Sequence, residues 1–156
     1  MNTNYTIRKA MASADDAEII LHHRMGMFTD MGIDPALVAK MEAPFRAWVA
    51  QEFSAERFET WFACDPFGQV IAGAGLWRYP WIPSPLAAQT VRAYILNVYT
   101  ERQFRKQGLA RRLIEEIIAY CRAQDYAVVM LHASKEGRPI YEALNFKQTN
   151  EMRLDL

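Results

Sequence analysis

The most informative segment of this chain begins with Tyr94-Ile95-Leu96-Asn97-Val98-Tyr99 and continues, after a short connection, with Arg105-Lys106-Gln107-Gly108-Leu109-Ala110. The first hexapeptide is apolar and aromatic, so we predict a strand over residues 92–99. Apolar side chains then recur at helical spacing over residues 108–124, at Ala110, Leu113, Ile114, Ile117 and Cys121. The segment therefore predicts a strand, a tight turn and an amphipathic helix.

The turn before this helix has the properties of an anion-binding site. The first N–H groups of a helix have no acceptor within the helix, and the helix dipole adds positive potential there. Gly108 carries no Cβ that would keep a ligand away from the main chain. Residues 101–112 hold five basic side chains and one acidic side chain, a local charge of +4. The alternative interpretation is an ordinary strand-to-helix turn on a solvated basic surface.

Two common phosphate-binding motifs are absent. A Walker loop needs Gly-x-x-x-x-Gly-Lys followed by Ser or Thr, and the sequence contains none. Gly73-Ala74-Gly75 lies within a predicted strand and lacks the third glycine of the dinucleotide fingerprint. Neither a nucleoside triphosphate nor a dinucleotide is therefore indicated.

The composition of the whole chain limits the class of protein. With 156 residues, of which 51% are hydrophobic, we expect one domain over residues 1–156. Basic and acidic side chains number 18 each, which excludes a strongly basic nucleic-acid-binding protein. No apolar run approaches the roughly 18–20 residues that span a bilayer, and residues 1–6 lack the apolar core of a signal peptide. We therefore expect a cytoplasmic protein with no nucleic-acid or membrane partner.

The cysteines and histidines form no recognisable disulfide or metal pattern. Cys64 and Cys121 stand singly in apolar stretches, with no Cys-x-x-Cys motif. His22, His23 and His132 lack the His-Glu-x-x-His or carboxylate spacing of a metal site, so we expect them to be packing or surface residues. We expect no metal cofactor.

The rest of the chain alternates between helical and strand patterns. Ser13, with Asp16 three residues later, predicts a helix start, and Asp34-Pro35 predicts a second one that Pro44 should bend or restart. Asp65-Pro66-Phe67-Gly68 fits a type I turn between two strands. The other predicted elements are a strand over 5–9, hairpin strands over 57–63 and 69–77, a Pro-rich loop over 79–89, a strand over 127–131, a helix over 137–144 and a strand from Phe146 onward. The predicted order is β-α-α-β-β-β-α-β-α-β, a single α/β (α+β) domain.

The hexapeptide at residues 105–110 resembles the Arg/Gln-x-x-Gly-x-Gly/Ala signature of the GNAT family of acetyl-coenzyme A-dependent N-acyltransferases. Ser134, Gly137 and Tyr141 fit the family's Asn-x-x-Ala-x-x-x-Tyr spacing, and residues 141–146 look like its Tyr-x-x-x-Gly-Phe. The order of elements also matches, so the resemblance covers nearly the whole chain. It implies a GNAT-like domain with a mixed, mostly antiparallel central sheet flanked by helices.

The resemblance also implies how acetyl-CoA would bind. The main-chain amides of residues 105–110 would hold the pyrophosphate, and the strand at residues 96–99 would pair with the pantetheine arm as an added strand would. Tyr141 would be the general acid that protonates the departing thiolate, the alternative being a ring that packs beside Leu144. The chain departs from the pattern at Ser134, where the family has Asn, and at Asn145, where it has Gly. The residues implied to contact the coenzyme are Leu96, Asn97, Val98, Tyr99, Arg105, Lys106, Gln107, Gly108, Leu109, Ala110, Ser134 and Tyr141.

The acceptor side is less well marked in the sequence. Arg24 lies on the apolar stripe of the first helix, which forms one wall of the acceptor pocket in the resembling family. It either lines that pocket or extends its charged end to solvent. Trp77 lies beside the Pro-rich loop and either covers an acceptor or packs at its rim. We take Arg24, Phe28 and Trp77 as the candidate acceptor-binding residues.

The resemblance implies an N-acetyltransferase that transfers acetyl from acetyl-CoA to a primary amine by direct attack, with both substrates bound. The acceptor would be a small molecule or a peptide, and the sequence does not identify it. Residues 94–100 contain no Asp, Glu or His, so we expect a water relay or a main-chain carbonyl to take the amine proton. A non-catalytic acyl-CoA-binding module is the alternative function, and homodimer formation stays open.

Overall fold

The computed structural model describes residues 4–156. Residues 1–3, which belong to the predicted domain and to the N-terminal stretch considered above, lie outside the described residues. Five strands form one sheet in the order β1-β2-β3-β4-β5, in which β4 and β5 are parallel and the other neighbours antiparallel. The predicted mixed, mostly antiparallel sheet is confirmed. The elements are β1 (Thr6–Lys9), α1 (Ala14–Asp30), α2 (Pro35–Ser54), β2 (Phe58–Cys64), β3 (Val70–Pro80), β4 (Val91–Thr100), a 3-10 turn (Arg102–Phe104), α3 (Leu109–Ala123), β5 (Val129–Leu131) and α4 (Arg138–Ala143).

Local side-chain caps set the starts of the first two helices, as their sequences predict. The Ser13 side chain accepts a hydrogen bond from the Asp16 N–H at 3.2 Å. The Asp34 side chain accepts one from the Ala36 N–H at 2.7 Å. Helix α2 continues through Pro44, so the expected restart does not occur. Buried side chains on both sides of the proline hold the helix in the same core, namely Val38, Phe45 and Val49.

The predicted hairpin is also confirmed. The Gly68 N–H donates to the Asp65 carbonyl at 3.0 Å, and Gly68 has a φ of +85°, which suits glycine. Strand β3 extends three residues beyond its predicted end at Trp77, because it continues to pair with β4 as far as Pro80 and Val91. The Pro-rich loop is correspondingly shorter.

The sheet separates two apolar layers. One face packs against α3 through Ile95, Leu113, Ile114 and Ile117, and the other packs against α1 and α2 through Ile20, Phe45, Phe58 and Phe62. The α3 stripe that the sequence predicts is buried, which explains its strong periodicity. No helix among residues 4–156 combines the length and the apolar character needed to cross a membrane.

The predicted terminal strand from Phe146 is wrong. The chain after α4 forms no strand, and the order of described elements ends with that helix. Phe146 itself packs beside Tyr141, with ring centroids 5.9 Å apart, but the residues that follow it are exposed, the apolar Met152, Leu154 and Leu156 among them. These residues contribute nothing to the core, and β5 offers only a three-residue edge (Val129–Leu131) for pairing.

Candidate active site

Strand β5 pairs along its whole length with the first half of β4, and β4 then continues without a partner on that side in the described part of the chain. The last paired residues are Ile95 and Leu131, whereas β4 continues to Thr100. The main-chain groups of residues 96–99 on that side have no strand partner among the described residues. An extended ligand is therefore able to pair with this edge as a strand would.

A bulge opposite β3 lies in this free part of β4. Asn97 adopts a φ of +56°, and the register with β3 shifts between Gly73 and Gly75. The Asn97 side-chain amide is buried and donates to the Ile20 carbonyl of α1 at 3.1 Å. Asn97, predicted to contact the coenzyme, thus uses its side chain to join two elements and leaves only its main chain at the edge.

The turn before α3 presents unpaired main-chain donors. Lys106 and Gly108 have φ values of +60° and +77°, and Gly108 is the N-cap of α3. The N–H groups of residues 106–110 make no hydrogen bond to any residue of the described chain. A Cβ placed on Gly108 would meet no atom within 4 Å, so the space beside the turn is open. These are the features that an anion-binding helix start requires.

The side chains of the same turn are mostly engaged elsewhere in the fold. Leu109 is buried in the core beneath the sheet. The Gln107 side chain accepts a hydrogen bond from the Tyr5 hydroxyl. The groups of this turn without a partner among the described residues are therefore mainly those of its main chain.

The local charge at this turn is less positive than the +4 counted over residues 101–112. Asp30, at the end of α1, pairs with both Arg102 and Arg105, and the Arg102 Nε lies 3.0 Å from its carboxylate. These guanidinium groups hold the pKa of Asp30 below its usual value, chiefly through the hydrogen bond from Arg105. Asp30 is 72 residues away from Arg102 in the chain, so local counting misses it.

Tyr141 lies in α4 with its ring in the core and its hydroxyl unpaired among the described residues. The residue is 8% exposed. Burial raises the pKa of its phenol, so the hydroxyl keeps its proton at neutral pH and remains a donor. Ser134 accepts a hydrogen bond from the Gly137 N–H at 3.0 Å, so its oxygen helps to shape the start of α4.

The three predicted acceptor residues lie along one run of aromatic side chains, which we call the aromatic wall (Phe28, Phe45, Trp48, Trp77, Tyr79 and Tyr94). The rings from Phe45 to Tyr94 are in contact in turn, as where Phe45 stacks on Trp48 at 5.8 Å and Trp77 on Tyr79 at 4.8 Å, and Phe28 joins them through the Arg24 guanidinium. Glu52 accepts a hydrogen bond from the Trp77 indole at 2.9 Å and so holds that ring in place. Trp81 lies at the outer end of the wall, against Arg92.

Arg24 is held between two rings of this wall. Its guanidinium carbon lies 4.7 Å from the centroid of Phe28 and 5.1 Å from that of Phe45. The Nε atom is buried and has no hydrogen-bond partner, and burial lowers the pKa of the guanidinium.

Sequence reasoning missed one pair of polar side chains, Tyr94 and His132. The Tyr94 hydroxyl shares a hydrogen bond with Nδ1 of His132. Burial raises the pKa of Tyr94 to about 12, and the charge of Arg24 opposes that rise. Tyr94 pairs with Met130 across the parallel strands, and His132 follows Met130 on the same face. Predicting this pair from the sequence would therefore have required the register of β4 and β5.

The other two histidines occupy structural positions. His23 is buried against Tyr99 and Phe62, and burial lowers the pKa of its imidazole to about 3. His22 pairs with Glu101 at 2.7 Å. Within residues 4–156 no group of three or more His, Cys, Asp or Glu side chains is arranged to hold a metal ion.

Comparison with known proteins agrees with this geometry. The family model described as "Acetyltransferase (GNAT) family" matches residues 19–146. A GCN5-related N-acetyltransferase from Ralstonia eutropha JMP134 is 30% identical, with a TM-score of 0.92 over 98% of this chain and 99% of that one. A predicted acetyltransferase from Clostridium acetobutylicum, solved with acetyl-CoA, is 25% identical, with a TM-score of 0.87 over 97% and 95%.

A more distant neighbour shows the shared fold alone. Glucosamine-6-phosphate N-acetyltransferase from Arabidopsis thaliana is 16% identical, with a TM-score of 0.66 over 98% of each chain. No curated protein matches this sequence. The extent of the family match, together with the separated strands and the unpaired start of α3, leads to one conclusion: this chain belongs to the GNAT family of acetyltransferases.

Proposed function

We propose that this protein is an N-acetyltransferase that transfers acetyl from acetyl-CoA to a primary amine, with both substrates bound together. One observation carries the proposal: the free edge of β4 lies between the unpaired N–H groups of the turn before α3 and the aromatic wall. This arrangement suits a long ligand with an anionic end and a reactive end. The similar protein from Clostridium acetobutylicum, which was solved with acetyl-CoA, supports acetyl-CoA as this ligand.

The coenzyme would be held mainly by main-chain groups. The N–H groups of residues 106–110 would receive the pyrophosphate, and the edge at residues 96–99 would pair with the amides of the pantetheine arm. Hydrogen bonds from this edge would also polarise the thioester carbonyl as negative charge develops on its oxygen. Binding both substrates in line supplies much of the rate, because it removes the entropy cost of bringing them together.

The chemical step is an exchange of one bond for another at the acetyl carbon. The amine nitrogen attacks the thioester carbonyl and forms a C–N bond, and the C–S bond then breaks. Tyr141 donates its proton to the departing sulfur, so that a thiol leaves in place of a thiolate. The amine loses one proton, which restores the proton balance once it reaches the phenolate through solvent.

The Tyr94–His132 pair supplies a route for the amine proton beside the water relay or carbonyl that the sequence indicates. As the Tyr94 oxygen accepts a proton from the amine, its own proton passes to Nδ1 of His132. The raised pKa of Tyr94 means that the phenol never stores a negative charge at neutral pH. His132 is exposed and is able to release the proton to water.

Thiol release in the presence of acetyl-CoA and a panel of primary amines tests the proposal. We expect release that depends on both substrates and follows saturation kinetics for each. Binding of acetyl-CoA without release for any small or peptide amine would instead favour the acyl-CoA-binding module. We further propose that the reaction takes place in the cytoplasm on a soluble acceptor.

A further inference from the structure

Arg24 is a cation without a counter-charge. Several other partly buried arginines are paired, as Arg8 is with Asp16 at 2.7 Å and Arg57 with Glu52 at 2.7 Å, whereas Arg92 has a buried Nε without a partner and lies over the ring of Trp81. For Arg24, burial and the phenol of Tyr94 are the only influences on its pKa, and no carboxylate of the described residues is among them. The Nε donor is buried without an acceptor, so its hydrogen-bonding capacity is unused among residues 4–156.

The surroundings of Arg24 are aromatic and supply no hydrogen-bond acceptor from the described residues. Phe28 and Phe45 lie against the guanidinium and stabilise it by cation–π contact. Contacts of this kind leave the N–H groups at the edge of the guanidinium without an acceptor, and Nε has none among residues 4–156. A guanidinium edge with unpaired donors matches a planar carboxylate, which accepts two parallel hydrogen bonds.

The position of Arg24 places this charge on the acceptor side of the site. Its charge acts on the phenol of Tyr94, which lies one residue before the point where β4 and β5 separate. The turn that would hold the pyrophosphate has its own cations, and Asp30 pairs with Arg102 and Arg105 there. Glu151 lies near enough to raise the pKa values of Tyr79 and Tyr94, yet it is exposed and does not act on Arg24.

We propose that the acceptor amine also carries a carboxylate, and that Arg24 binds this carboxylate while the amine faces the thioester. The proposal rests on the acetyltransferase function proposed above and adds the chemical class of the acceptor. A carboxylate is favoured over a phosphate because Arg24 is the cation that lies against Phe28 and Phe45, whereas Arg92 lies against Trp81 at the outer end of the aromatic wall. A phosphate monoester carries close to two negative charges at neutral pH and is usually met by more than one cation.

Steady-state kinetics with matched amines test this inference on the full-length protein. The panel holds amino acids and short peptides with a free carboxylate, their C-terminal amides, the decarboxylated amines and a phosphate-bearing amine. We expect kcat/KM for the carboxylate members to exceed that for their amides by about 10- to 100-fold. Equal rates for acids and amides, or a preference for the phosphate-bearing amine, would overturn the inference and leave the acetyltransferase function intact.

Arg24→Met and Arg24→Lys locate the preference. With Arg24→Met, we expect the acid-to-amide ratio to fall to within about twofold of unity and the KM for acetyl-CoA to stay unchanged. Arg24→Lys keeps a positive charge but loses the two parallel donors of the guanidinium, so it should retain only a small part of the preference for acids over amides. Arg46→Met is the matched control, because Arg46 is exposed and pairs with Glu42 at 3.1 Å on the surface of α2. A preference that survives in both Arg24 variants would contradict the proposal.

Two further outcomes are decided by separate measurements. If Arg24→Met does not fold, the acid-to-amide ratios of the parent and of Arg24→Lys test whether Arg24 binds the carboxylate. If no amine is acetylated, the proposed function fails, and carboxylate binding is then read from the fluorescence of Trp48 and Trp77 in the coenzyme-loaded protein. Saturable quenching by a carboxylate that Arg24→Met abolishes would still support the carboxylate site, and its absence in the parent would overturn it.

Discussion

The side-chain amide of Asn97 donates a hydrogen bond of 3.1 Å to the main-chain carbonyl of Ile20, and this bond joins the bulge of β4 to the centre of α1. The two residues are 77 positions apart, and Asn97 is 3% exposed. The bond therefore connects the strand whose edge would bind the coenzyme with the helix that carries Arg24.

Asn97→Asp should destabilise the protein because it keeps the shape but removes the donor and buries a carboxylate. We expect the free energy of unfolding to fall by about 2 kcal/mol or more at pH 8. A buried carboxyl has a raised pKa in the folded state, so the loss should shrink as the pH falls and the group becomes protonated. Denaturant unfolding at pH 8 and pH 5 measures the difference. Equal losses at the two pH values would argue against this role.

Gly108→Val should weaken acetyl-CoA binding at the turn before α3. The added side chain would meet no protein atom, but it would fill the space beside the unpaired N–H groups, and the φ of +77° would be strained. Gly68→Val is the matched control, because Gly68 also has a positive φ and open space and lies in the β2–β3 turn. Calorimetry should show at least a tenfold loss of affinity for Gly108→Val alone. A similar loss in both variants would mean that strain, and not the ligand space, is responsible.

Tyr141→Phe should lower the turnover number and leave coenzyme binding intact. General acid catalysis contributes about 10²- to 10⁴-fold, and the ring that packs beside Phe146 is retained. The loss should be smaller with an acyl donor whose thiol is more acidic, since that thiolate needs less help to leave. Tyr126→Phe, a change of the same kind at another ring packed on the core, is the control. Full turnover by Tyr141→Phe would leave the tyrosine with a packing role only.

Tyr94→Phe and His132→Ala should each lower kcat/KM for the amine by about 10- to 100-fold at neutral pH if the proton passes through this pair. Added imidazole should restore part of the rate of His132→Ala but not that of Tyr94→Phe, because in the proposed route the phenol oxygen is the group that accepts the amine proton. Amines with a pKa below the assay pH are already neutral and should be less sensitive to both substitutions, so the dependence of rate on amine pKa provides a second measurement. Unchanged kinetics in both variants would return the proton to water or to a main-chain carbonyl.

Asp16→Asn should lower stability at neutral pH. The Arg8 guanidinium donates to both oxygens of Asp16, at 2.8 and 2.7 Å, and lowers the pKa of this carboxyl. Because Arg8 is partly solvated, we expect a loss of about 1–2 kcal/mol. A carboxyl with a lowered folded-state pKa stabilises the protein above its unfolded pKa of about 3.9, and that stability is lost as the pH falls through the folded value.

Melting temperatures measured between pH 2.5 and pH 7 check this dependence. The parent and Asp16→Asn should converge at the acidic end and differ by a few degrees at pH 7, since 1 kcal/mol corresponds to about 2–4 °C in a domain of this size. Asp15→Asn, a change in the same helical turn at an exposed residue, should have little effect. A constant difference at all pH values would exclude the ion pair as the cause.

Features that depend on neighbours in the chain were predictable from the sequence alone. The Ser13 and Asp34 caps, the Asp65–Gly68 turn and the amphipathic α3 all follow from interactions over a few residues, and the structure contains each of them. The turn at residues 105–110 was predictable for the same reason, because an open N-cap and a glycine with positive φ are local properties.

What only the tertiary structure decided depends on partners that are far apart in the chain. The residues near a charged side chain in the sequence do not show whether it has an ion-pair partner. Asp30 pairs with Arg102 from another element, and Arg24 has no counter-charge although acidic residues are as numerous as basic ones. The Tyr94–His132 pair required the parallel register of β4 and β5. The absence of the predicted terminal strand also depends on the tertiary structure, because a strand needs an edge to pair with and a face to bury. Local sequence thus determined most of the elements and the open turn before α3, whereas the folded arrangement determined which charges and hydroxyls have no partner among the described residues.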